Sequence, residues 1–143
     1  MSETVIQVSS LGKRIKGKTI LEDISFEINQ GDCVALIGPN GAGKTVLMSC
    51  ILGDKKPSSG QVLIDGKAGK AKNKIAVLLQ ENTIPNSLKV EELIAFFQSI
   101  SDNPLTNQEV QDLLQFKGDQ YQQFADKLSG GQRRLLAFVL CLI

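Results

Sequence analysis

Histidine and tryptophan are absent from the 143 residues, and cysteine (3), proline (4) and tyrosine (1) are scarce. Without histidine there is no His-based triad, metal cluster or imidazole general base to consider. The cysteines, Cys33, Cys50 and Cys141, are too widely spaced for a zinc knuckle or a CxxC redox pair, and their number is odd. They are expected to be free, mostly buried thiols in a cytosolic chain. Long apolar runs are missing as well: the longest, Leu135 to Ile143, is about half of the ~20 residues needed to cross a bilayer. Any membrane association is therefore expected through a partner. Met1-Ser2-Glu3-Thr4 lacks a positive stretch leading into an apolar run, so neither a signal nor a transit peptide is expected. Charge of one sign is also lacking. Sixteen Lys and Arg against fifteen Asp and Glu leave a net charge of +1 without a basic block, which argues against nucleic acid as a partner.

What is present is an ordered alternation of apolar patterns. Val5 to Gln30 reads as strand, turn and strand, with Lys16-Gly17-Lys18 as the turn and Ile24, Phe26 and Ile28 on one face. Cys33-Val34-Ala35-Leu36-Ile37 is a continuous apolar run of the kind found in a strand covered on both faces of a parallel sheet. A glycine-rich stretch, 38 to 43, follows it. Lys44 to Leu52 then fits a short helix with Leu47, Met48, Ile51 and Leu52 on its buried side and Gly53 closing it. Gln61 to Gly66 reads as a strand, Lys67 to Lys74 as a polar connection, and Ile75 to Leu79 as a second buried strand.

Beyond Gln80 the period changes to that of helices. Val90 to Ile100 is one, with Leu93, Ile94, Phe96 and Phe97 as its apolar side, and Asn107 to Phe116 is another, capped by Thr106 with Glu109 three residues on. A last helix starts near Ser129. The boundaries expected from this reading are 1–84 for a β/αβ portion and 85–143 for a helical subdomain.

Two stretches carry chemistry. Gly38-Pro39-Asn40-Gly41-Ala42-Gly43-Lys44-Thr45 matches G-x-x-x-x-G-K-[ST], with an apolar run before it and a helix after it. Glycines let such a loop turn its backbone N–H groups inward around a phosphate, and the helix behind it aims roughly half a positive charge at the same anion. Lys44 is placed to reach the β- and γ-phosphates and the Thr45 hydroxyl to ligate Mg²⁺. The bland alternative, a glycine-rich turn with a stray lysine, does not require the spacing and flanking elements to agree. The second stretch is Leu128-Ser129-Gly130-Gly131-Gln132, followed by Arg133 and Arg134. Ser129 with Gln132 makes a capping box, and the two glycines expose the first N–H groups of a helix, a second anion site.

Together these motifs resemble the ABC ATPases, and the resemblance covers essentially the whole chain. It extends to Ile20 to Phe26, Pro57 to Gly60 and Leu88 to Leu93. It implies an α/β fold: a P-loop NTPase (RecA-like) core with an N-terminal antiparallel β element and an α-helical subdomain, the C-terminal part of the core sheet being missing. It implies an ATP-binding subunit of a transporter, and within the family the ABC-2-type exporters are the most similar group. The cofactors implied are ATP and Mg²⁺. The partners implied are a second ATPase subunit, identical or not, and a membrane-spanning subunit that keeps this one peripheral to the membrane on its cytoplasmic side. Residue by residue, the resemblance gives Gly38, Pro39, Asn40, Gly41, Ala42, Gly43, Lys44, Thr45 and Val46 to the nucleotide held by the chain itself. Ser129, Gly130, Gly131 and Gln132 go to the nucleotide held by the partner. Gln80 stands for the Q-loop glutamine that touches Mg²⁺ and the attacking water.

The sequence also departs from the family pattern. Ile15 stands where an aromatic residue usually stacks on adenine, and Val46 where a second hydroxyl is common. The apolar strand ending in Asp-Glu and the switch histidine do not occur, so this 143-residue polypeptide is expected to bind ATP weakly and to turn it over negligibly. Two rival readings remain: a soluble ABC-type ATPase of translation or DNA repair, and a non-catalytic nucleotide-binding remnant.

Overall fold

The computed structural model describes residues 3–68, 75–81 and 84–143. The chain divides into two compact units, Met1–Ile75 and Ala76–Ile143.

The first unit is built on a long hairpin. Strands β1 (Thr4–Ile15) and β2 (Lys18–Asn29) pair antiparallel, with Val8 opposite Phe26 and Ile15 opposite Lys18. The two residues between them, Lys16 and Gly17, both take positive φ (49° and 79°), as a two-residue turn matching the strand twist requires. The other edge of β1 receives β3 (Ser59–Ile64), and β3 pairs with the short β4 (Lys67–Ala68). The order is β2-β1-β3-β4, antiparallel throughout. Helix α1 (Lys44–Ile51) lays Leu47, Cys50 and Ile51 on Val8, Leu11 and Leu21. Each such side chain withdrawn from water is worth about 1.5–3 kcal/mol. Gly53, at φ 78°, follows the helix and donates its N–H to the carbonyl of Cys50, the closing role expected of it.

The second unit is helical. It contains α2 (Val90–Ile100), α3 (Asn107–Leu114), α4 (Gly118–Tyr121), a 3₁₀ turn (Ala125–Lys127) and α5 (Gly130–Leu142). Val90 and Leu93 of α2, Val110 and Leu114 of α3, and Leu136 and Val139 of α5 meet in one core. The capping box read at Thr106 is formed: the Glu109 N–H donates to the Thr106 hydroxyl (3.3 Å), and the Thr106 N–H donates to the Glu109 carboxylate (2.8 Å). Among the described residues no helix is long and apolar enough to cross a membrane.

The α/β class with an antiparallel N-terminal element stands, but three expectations fail. The runs Cys33–Ile37 and Ile75–Leu79 are not strands. Ile37 is 90% exposed and Leu79 60%. A strand exists only by hydrogen bonding to a neighbour, and among the described residues neither run takes part in a ladder. Apolar composition expressed a demand for cover without supplying the partner. The buried sides of two helices also shift: Met48 and Phe96 face solvent, and Cys50 takes the core place on α1 instead. The thiols, lastly, are not mostly buried. Cys33 is exposed and Cys141 half-buried, while Cys50 is buried, and desolvation pushes its thiol pKa up.

Candidate functional site

The stretch from Gly38 to Thr45 lies in the first unit and owes its shape to glycine. Gly41 (φ 84°) and Gly43 (φ 93°) occupy left-handed conformations that side chains with a Cβ resist. Gly43 also has no room for a side chain: a Cβ there would sit 2.9 Å from Leu21 Cδ2 and 3.2 Å from Ile20 Cγ2. The loop is thereby pressed onto β2. From residues 38 to 43, the one backbone N–H that bonds to a backbone carbonyl is that of Ala42, to Pro39 (3.2 Å), among the described residues.

Gly43 is the N-cap of α1 and offers no side-chain cap. The first N–H groups of a helix have no partner within it, so those of Lys44 and Thr45 remain for an anion. Lys44 folds back so that Nζ donates to the carbonyls of Gly38 and Pro39, the latter at 2.8 Å. An uncapped helix start, a lysine ammonium and left-handed glycines are a donor set that fits a phosphate chain. Thr45 is exposed at the first turn. Val46 packs against the core under α1, so its side chain is occupied by packing. Ile15 is half-buried at the end of β1, outside that core.

The Ser129 helix start lies in the second unit. The Ser129 hydroxyl accepts from the Gln132 N–H (3.2 Å), and the Ser129 N–H donates to Gln132 Oε1 (3.0 Å). The box thus uses the Gln132 side chain and main-chain amide locally. The amides of Gly130 and Gly131 stand outside the box, and a Cβ added at either glycine would meet nothing within 4 Å. Two glycines in the first turn are not demanded by packing.

Gln80 is exposed and follows the 75–79 run in the same unit as Ser129. Its carbonyl and that of Leu79 accept from Arg134 Nη1 at 3.0 and 2.8 Å. The structure therefore ties Gln80 to α5 through an arginine that the sequence reading noted without a role. The only sequence signal was a pair of arginines directly after a capping box. Among the described residues no group of three or more His, Cys, Asp or Glu is arranged to hold a metal ion.

Residues 21–143 match the family model described as ABC transporter. The chain belongs to the ABC transporter family. This family member is 34% identical over 151 residues to the methionine import ATP-binding protein MetN of Legionella pneumophila (strain Paris), a match covering 96% of the chain and 44% of that protein. It is 31% identical over 153 residues to the Nod factor export ATP-binding protein I of Ralstonia nicotianae (strain ATCC BAA-1114 / GMI1000), covering 99% and 47%. A solved structure of an ATP-binding subunit of an ABC transporter superposes with a TM-score of 0.76 at 24% identity, over 96% of this chain and 61% of that one, a likeness of fold. The ABC transporter chain thus spans less than half the length of these two curated relatives.

Proposed function

We propose that this chain forms the nucleotide-contacting portion of an ABC transporter's ATP-binding subunit, which energises the movement of a substrate by a separate membrane-spanning subunit. The observation that carries this reading is the uncapped start of α1 behind two left-handed glycines, with the Lys44 ammonium drawn over the same loop. In this reading the amides of residues 40, 41 and 43 to 45 and the Lys44 ammonium bind the triphosphate of ATP, and Ile15 gives adenine an apolar contact. Mg²⁺, when bound, neutralises charge on the phosphate oxygens, and Thr45 and Gln80 are the residues that would hold it. Ser129, Gly130, Gly131 and Gln132 of one subunit face the nucleotide of a second, in a homo- or heterodimer. The assembly lies on the cytoplasmic side of the membrane, held there by its partner.

Import names predominate among the curated relatives, with an export name beside them, so the exporter-like resemblance of the sequence gains no support from them. The energising role is common to both directions. Hydrogen bonds to charged groups are worth about 1.5–3 kcal/mol each, so a few amides and one lysine can approach the ~8 kcal/mol of a micromolar complex. The test is a titration of the chain with ATP and Mg²⁺. Lys44→Ala is expected to weaken binding by roughly 10- to 100-fold, the equivalent of one charged hydrogen bond. Failure of the unmodified chain to bind ATP, or equal affinity of the variant, overturns the reading.

A further inference from the structure

Arg133 and Arg134 sit one turn into α5 and reach back across 47 to 55 residues of sequence. Arg134 Nη1 donates to the carbonyls of Leu79 and Gln80 (2.8 and 3.0 Å), while Arg133 Nη2 donates to Asn86 Oδ1 (2.9 Å). The same two residues thus hold Leu79 and Gln80 on one side and Asn86 on the other. Arg133 does so although its Nε is buried without a hydrogen-bond partner, an arrangement that costs stability. A merely solvated arginine would avoid it. Two acceptors of Arg134 are carbonyls on consecutive residues, so these contacts fix the direction of the main chain at Gln80. A planar guanidinium can satisfy two such convergent acceptors while keeping its charge, whereas a lysine ammonium lacks that fixed fork.

We infer that Arg134 is a positioning residue for Gln80: it fastens the main chain at Leu79 and Gln80 to α5, as Arg133 fastens Asn86, so that the heading of the Gln80 side chain follows the helix whose glycines face the second subunit. The inference rests on the reading of Gln80 given above. Arg134 lies five residues beyond the Ser129 cap, about 7.5 Å along the axis at 1.5 Å per residue. A displacement of the helix start toward a nucleotide is therefore delivered to Gln80 through less than two turns of rigid helix.

The test combines nuclear magnetic resonance of the chain with nucleotide titration, on Arg134→Ala and Arg134→Lys. In Arg134→Ala the backbone order parameter of Gln80 falls from a rigid value of about 0.85 to below ~0.6. The carbonyl carbon signals of Leu79 and Gln80 shift as their donor is lost, and α2 and α3 keep their order. Arg134→Lys restores only part of both signals. ATP affinity measured without Mg²⁺ stays within about twofold of the unmodified chain, while the gain in affinity on adding Mg²⁺ shrinks at least threefold. Unchanged order at Gln80, loss of order in α2 and α3 in step with it, or equal loss of affinity with and without Mg²⁺ overturns the inference. If the unmodified chain binds no ATP, the reading of the site fails and Gln80's role with it, while the order parameters separately decide whether Arg134 holds the main chain at Gln80.

Discussion

Gly43 and Leu21 approach so closely that a methyl group on the glycine would lie 2.9 Å from Leu21 Cδ2. The same glycine carries φ 93°, so its replacement meets conformational and steric resistance together.

Gly43→Ala is accordingly expected to destabilise the first unit by about 2–5 kcal/mol, combining ~1–2 for the left-handed backbone with ~1–3 for overpacking. The midpoint of urea unfolding, followed by a probe on β2, measures it. A variant as stable as the parent would show that the loop is not pressed onto the hairpin.

At Gly131 the reverse holds. Open space surrounds the position where a Cβ would stand, and alanine in a helix is favoured over glycine by roughly 0.5–1 kcal/mol. Gly131→Ala is expected to leave thermal stability unchanged or slightly raised, yet to weaken ATP-dependent association of two copies at least tenfold in sedimentation. Association that survives the substitution would remove the second subunit from this helix start.

Acid tests the start of α3. The main-chain N–H and hydroxyl of Thr106 both donate to the Glu109 carboxylate and hold its pKa below the ordinary glutamate range. A carboxylate whose folded pKa is lowered adds stability that is fully present above its unfolded value and disappears as pH falls through the folded one. The Thr106 amide resonance should therefore titrate at a lower pH than a free glutamate, and Glu109→Gln should abolish that titration. A midpoint at or above the ordinary glutamate value would contradict the capping box.

The elements legible in the sequence are those whose signals are local. Val90–Ile100 showed in helical spacing, α3 and α5 in the Thr106/Glu109 and Ser129/Gln132 boxes, and the hairpin in Lys16-Gly17 between alternating runs. The failures have a common cause in relations between distant residues. Ile37 and Leu79 sit in apolar runs that fit a sheet, but which segment pairs with them is not a property of the runs themselves. Met48 and Phe96 fall on the margins of their helices' apolar sides, where neighbours rather than periodicity decide exposure. Helix α4, only four residues beginning at Gly118, is too short for a period to register. At the candidate site, the glycine loop and the Ser129 start could be read directly. The bond from Arg134 to Gln80 could not, because 54 residues separate them and an arginine on a helix surface has no fixed destination.

Lys44 already grips two main-chain oxygens of its own loop, and this internal brace bears on kinetics. A loop rigidified in advance spends little ordering entropy on capture, and the ammonium needs only to share itself with the incoming anion. Encounter and complex formation then merge into one step, with an observed rate that climbs in proportion to nucleotide concentration and does not level off.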